Sequence, residues 1–109
     1  MYKLYAFWSA PRNEDVEAFE QHYAEVHLPA ALAVPHLVGL TETLTSDGFE
    51  GATPATYRVA EMIFDSKEAL QQSAESQQWA AMRADSGVMI EKFGVTLQVS
   101  MGHAERANL

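Results

Sequence analysis

Four histidines are spread along this 109-residue chain, and two of them, His22 and His27, fall in one short stretch. That stretch reads Phe19-Glu20-Gln21-His22-Tyr23-Ala24-Glu25-Val26-His27-Leu28-Pro29. On a helix, residues three, four, seven and eight apart share a face. Val16, Phe19, Tyr23 and His27 therefore form one line, with a titratable base at its C-terminal end. Pro29 biases Leu28 away from helical dihedrals. His27 is thus expected within about a turn of a helix end, where unpaired carbonyls favour a cation. An imidazole there suits a general acid or base. The plainer alternative is a core histidine bonded to a backbone carbonyl.

Other chemistries find less support. The chain has no cysteine, so it offers no thiolate nucleophile, disulfide or thiolate metal site. His22 and His27 are five apart, which is not the i, i+4 spacing that two helical metal ligands want. No acidic residue completes an evident metal triad, and no metal site is expected. The serines lack a nucleophile-elbow pattern, and no glycine-rich loop would cradle a phosphate. Acidic residues outnumber basic ones, 15 to 7, for a formal net charge of −8. Lys and Arg form no cluster, which argues against nucleic acid and anionic membrane surfaces as partners.

The elements that must position these groups follow from periodicity. The composition, 48% hydrophobic and 20% charged, is that of a globular chain with room for one domain. The apolar start, Met1 to Trp8, is too short for a signal peptide, and no run is long enough to span a membrane. A soluble, cytoplasmic protein is expected.

Residues 2 to 8 alternate as a strand, with Tyr2, Leu4, Ala6 and Trp8 opposite Lys3, Tyr5 and Phe7. Asn13 is placed to cap a helix from about Glu14 to Leu28, with a further turn as far as Ala33. Pro35 and Gly39 bracket a turn before a second strand, Leu37 to Thr45. Residues 46–56 form a loop long enough to cap a pocket or simply to be mobile. Tyr57 to Phe64 is a third strand. Asp65 and Glu68 are spaced as a capping box for a second helix. Ser76 restarts that helix, and Asp85-Ser86-Gly87 is read as its end. Phe93 to Met101 alternates cleanly as a fourth strand.

The order is βαββαβ, the ferredoxin-like α+β arrangement, over residues 1–102, with 103–109 a polar tail. In that fold one face of the sheet carries both helices. The other should read polar in a monomer, yet the first and third strands are apolar on both faces. Area of that kind marks an interface or a ligand groove. The expectation is a homodimer with its two sheets face to face, an α+β barrel. Each subunit then has one hydrophobic layer beneath its helices and one around a central cavity.

The helix also resembles a family. Phe19, the neighbouring His22-Tyr23, and His27-Leu28-Pro29 resemble the signature of the EthD family, whose helix carries a phenylalanine, two adjacent aromatics and a histidine two residues before a proline. Val34-Pro35-His36-Leu37 looks like its Leu-Pro-Gly turn. Ala60 to Ser66, with Glu68-Ala69-Leu70, is similar to its third strand and second helix start. His22 departs from the usual aromatic, and His36 from the usual glycine.

The resemblance implies a dimeric α+β barrel with a small-molecule cavity. Members include lactone isomerases, polyketide cyclases and decarboxylase- or dehydratase-like enzymes. They also include small proteins encoded beside ether-degrading monooxygenases. It implies His27 as general acid/base, its other ring nitrogen held by a carbonyl or carboxylate, with Phe19, His22 and Tyr23 in the cavity wall. Glu61 is the second catalytic candidate. It shares a face with Val59 and Ile63, opposite Phe64, which would aim it into the central cavity, where burial raises a carboxyl pKa. Its competing role is an ion pair with Arg58 or Arg83. Tyr5, Tyr23 and Tyr57 carry hydroxyls that could orient a substrate carbonyl, or else serve as core.

Two functions follow. One is a lyase- or isomerase-type enzyme, moving a proton without a cofactor on a small hydrophobic carbonyl compound. The other is an accessory protein that binds a hydrophobic ligand, or haem, for a partner monooxygenase.

Overall fold

The structure is a computed structural model, and residues 1–108 are described. Alternation builds the sheet as the sequence suggests. β1 (Tyr2–Trp8), β2 (Leu37–Leu44), β3 (Arg58–Phe64) and β4 (Leu97–His103) form one sheet in the order β2-β3-β1-β4, with every neighbouring pair antiparallel. β1 and β3 are the central strands. His103, placed in the tail by the sequence reading, ends β4, and its ring meets the Tyr2 ring edge-on at 4.9 Å. This is the four-stranded ferredoxin-like α+β fold, with its helices on one face.

One stripe from each strand lies under the helices. Tyr2, Leu4, Met62 and Phe64 pack with Ala31, Val34, Leu70 and Met82. Trp8 packs with Phe19, Tyr23, Met89, Phe93 and Val95. Phe19 and Phe64 are fully buried, and truncating either to Ala would cost about 3–5 kcal/mol. The other sheet face carries Lys3, Tyr5, Phe7, Val59, Glu61 and Ile63, all half-buried in the single chain.

The first helical arm differs from its sequence reading in an instructive way. It opens with a 3₁₀ turn, Asn13–Asp15, tied by an Arg12–Asp15 ion pair at 2.7 Å, and Asn13 makes no side-chain cap. α1 (Val16–His22) then runs into a π-helical turn, Tyr23–His27, and on into α2 (Leu28–Leu32). Pro29 does not end the arm. In an α-helix its ring would press on the carbonyl four residues back, and it has no N–H to donate. The widened turn, in which Leu28 N–H reaches Tyr23 O, lets the chain pass through the proline still helical. His27 therefore lies inside a continuous helix rather than at its end.

α3 (Lys67–Ala74) is capped by Ser66, whose hydroxyl accepts from Ala69 N–H at 3.1 Å, so the Asp65–Glu68 capping box does not form. Ser76 caps α4 (Gln77–Phe93) in the same way, through Trp79 N–H. α4 continues through Asp85-Ser86-Gly87. The buried stripe Met82, Ser86, Met89, Phe93 keeps helical spacing across that point, and Gly87 faces open space. The helix stops instead at Gly94, in the left-handed conformation with φ 64°. Phe93 thus belongs to α4 rather than to the fourth strand. His36 also has a left-handed φ, 67°, in the turn where the family pattern has glycine.

Candidate functional site

The π turn decides the site. In an α-helix, residues five apart stand about 140° apart around the axis, from 100° per residue. A π turn closes on the fifth residue, so His22 and His27 come round to one side. Both rings reach Asp85 of α4. His22 Nε2 lies 2.8 Å from Oδ1, and His27 Nδ1 lies 2.8 Å from Oδ2. One carboxylate thereby bridges two imidazoles. An ionised carboxylate only accepts, so both facing ring nitrogens carry hydrogen. His27 Nε2 is then a lone-pair acceptor, free to take a proton.

His27 is 6% exposed, and its ring lies edge-on to Trp8 at 5.4 Å and tilted against Tyr23 at 5.3 Å. Burial lowers its pKa below the ordinary 6.5, the Asp85 hydrogen bond and charge oppose that, and His22 adds to it. Burial is the largest of these, so the neutral, basic form is favoured. Among the described residues, no group of three or more His, Asp or Glu is arranged to hold a metal. The two histidines converge on Asp85 by hydrogen bonds.

His27 lines a cavity of about 300 Å³ between the helices and the sheet. Its walls are mostly apolar: Leu4, Ala6, Trp8, Ala60 and Met62 from the central strands, Tyr23 and Ala31 from the first arm, Trp79 and Met82 from α4. The polar exceptions are Glu42, Arg83 and Ser86. Val99 and Met101 of β4 also line it and are 45% and 54% exposed, so it opens along that edge of the sheet. The loop of residues 46–56 contributes nothing to these walls.

The site residues expected from sequence are thus divided. His27 and Tyr23 face the cavity. Phe19 is fully buried beneath Trp8, with ring centroids 6.2 Å apart, and supports the wall rather than forming it. His22 lies behind His27, on Asp85. Tyr57 donates to Glu20 at 3.0 Å, away from the cavity. Glu61 does not aim at it either. Its alternation with Val59 and Ile63 is as expected, but the cavity lies on the opposite side of the sheet. There Glu61 takes Lys3 Nζ at 2.6 Å and the Tyr5 hydroxyl at 3.4 Å, not Arg58 or Arg83. Tyr5 stacks on Phe7 on that same far face.

Two acidic groups escaped the sequence reading: Asp85, which holds both histidines, and Glu42, which lines the cavity. Asp85 was hidden by taking Asp85-Ser86-Gly87 as a helix end. With the helix continued, it falls three after Met82 and four before Met89, a carboxylate on the buried stripe. Glu42 was visible in principle, as the one acid in the alternating line Leu40, Glu42, Leu44.

Comparison with known proteins agrees with this architecture. No curated protein matches the chain. A solved EthD family protein from Bacillus halodurans C-125 is 26% identical, covering 92% of this chain and 96% of its own, with a TM-score of 0.72. HapK from Hahella chejuensis shares the fold at 12% identity, with 100% and 97% covered and a TM-score of 0.68. An EthD-like protein from Ralstonia eutropha JMP134 does so at 17% identity, with 97% and 95% covered and a TM-score of 0.69. The model of the EthD domain matches residues 11–92, an interval that takes in the π turn, Glu42 and Asp85. On that match, the chain belongs to the EthD family.

Proposed function

We propose that the chain catalyses cofactor-independent proton transfer on a small, mostly apolar carbonyl compound held in the helix-side cavity, an isomerase- or lyase-type reaction. The observation that carries this reading is His27: buried, neutral by preference, Nδ1 held by Asp85, in the wall of an apolar cavity. The carboxylate fixes the tautomer and stabilises the imidazolium that forms when Nε2 takes a proton. The apolar walls exclude competing water. Such a positioned base contributes about 10²–10⁴-fold. The homodimer belongs to the same reading. Tyr5, Phe7, Val59 and Ile63 make a central apolar patch on the far sheet face, where a second copy would bury them and the Lys3–Glu61 pair.

The test is deuterium uptake by α-angelica lactone in heavy water, followed by proton NMR. The wild-type protein is expected to catalyse exchange at the carbon next to the carbonyl, and His27→Ala to lose at least a hundredfold while keeping its circular dichroism. Equal rates with both proteins would reject the base.

The greasy lining favours a second reading, a carrier for an apolar ligand. A volume of about 300 Å³ is at the small end of ligand pockets, which run from about 300 to 1,000 Å³. It fits a small molecule better than a haem macrocycle. In a carrier, His27→Ala would change affinity and no rate.

A further inference from the structure

Glu42 stands on β2 between Leu40 and Leu44, on the side of the sheet that looks at the helices, and it lines the same cavity as His27. Its neighbours come from three elements: Arg58 on β3, Glu20 on α1 and Tyr23 in the π turn. Arg58 is the cation of this corner, and its guanidinium closes on Glu20. It meets Glu42 only at 3.5 Å. The Tyr57 hydroxyl also goes to Glu20. One guanidinium between two carboxylates leaves a surplus negative charge, and Glu42 is the carboxylate less well served. Only the Tyr23 hydroxyl, beside it, remains.

A carboxylate has about four lone-pair sites. Glu42 therefore keeps acceptor capacity at the wall of an otherwise apolar cavity. A charge so placed is costly until a donor arrives. Burial accordingly pushes the Glu42 carboxyl above its ordinary range, against Tyr23 and Arg58.

Tyr23 also lies next to both groups. Its ring lies 5.3 Å from the His27 ring, and its hydroxyl is beside Glu42. A ligand lying along Tyr23 can therefore meet both groups.

We propose that Glu42 is the specificity-determining anchor of the cavity, accepting a hydrogen bond from a hydroxyl of phenol or enol type on an otherwise apolar ligand. This rests on the acid–base reading of the same cavity and deepens it. The ligand presents its O–H to Glu42 and its carbon skeleton to His27.

The test is isothermal titration calorimetry at pH 7 with 4-propylphenol and 4-propylanisole, the methyl ether that lacks the donor. The wild-type protein is expected to prefer the phenol about tenfold, equivalent to about 1.4 kcal/mol. Glu42→Leu should abolish that preference with little change in ether affinity. Glu42→Gln, which keeps a neutral acceptor, should fall between and covers the case in which the leucine variant misfolds. His27→Ala should keep the preference. Equal wild-type affinity for the two compounds overturns the anchor and leaves the acid–base reading standing. A preference that survives Glu42→Leu but vanishes in His27→Ala assigns the acceptor to His27 and overturns it too. If neither compound binds, the anchor and the cavity reading fall together.

Discussion

Nδ1 of His27 lies 2.8 Å from Oδ2 of Asp85, a contact made across 58 positions of sequence. It assigns the imidazole proton to Nδ1 and the lone pair to Nε2. Long-range proton–nitrogen NMR on ¹⁵N-labelled protein should show that tautomer for His27 at neutral pH. Asp85→Asn presents an amide whose N–H can donate to Nδ1, which favours the opposite tautomer. The variant should lose about 10²–10⁴-fold in lactone exchange while staying folded. An unchanged tautomer in Asp85→Asn would remove Asp85 from the mechanism.

The same burial makes a pH prediction. Folded His27 binds its proton less readily than an unfolded histidine, whose ordinary pKa is 6.5. Across the window below 6.5 the unfolded chain binds more protons, so stability rises with pH. This contribution is complete above 6.5 and is lost as pH falls through the folded value. Glu42 works in the other direction: its raised carboxyl favours the fold at low pH and ceases to do so as pH rises through the folded value. Comparing wild type with His27→Gln isolates the histidine. Urea midpoints should fall from pH 7.5 to 5.5 more steeply in the wild type. Parallel lines would contradict a depressed His27.

Gly87 lies in the interior of α4 with open space where a Cβ would go. Gly→Ala at a compatible helical position stabilises by about 0.5–1 kcal/mol. Gly87→Ala should therefore raise the melting midpoint by a few degrees. A lowered midpoint would mean that α4 breaks at Gly87, which would detach Asp85 from its histidines.

Phe7 and Ile63 lie on the sheet face away from the helices. If that face is the dimer interface, Phe7→Glu places a charge at its centre, opposite the other copy. Light scattering after size exclusion should give twice the chain mass for the wild type and the single-chain mass for the variant. A wild-type monomer would leave the far face without the partner proposed for it.

Much of the architecture was legible from periodicity alone. Alternation located all four strands, because the side-chain period of a strand is a local property and each central stripe is strongly apolar. The helical line Val16, Phe19, Tyr23, His27 was legible for the same reason. The order of elements then restricted the fold to very few arrangements, and His27 stood out as a titratable residue on an otherwise apolar helical line.

What the sequence could not decide were matters of long-range geometry. Pro29 reads locally as a helix end, and only the packing of α2 against α4 and the core keeps the arm helical through a π turn. That one turn converts a five-residue spacing that looks unproductive into two rings on one side. Asp85 meets them because α4 continues through Gly87, where the buried stripe of Met82, Ser86, Met89 and Phe93 outweighs the local weakness of glycine. Glu61 shows the remaining limit. Its alternation was read correctly, but alternation says only that two faces exist, and the packing of the helices decides which face encloses a cavity. Glu42 belongs to the enclosed face and lines the cavity, where its local sequence shows only an acid among leucines.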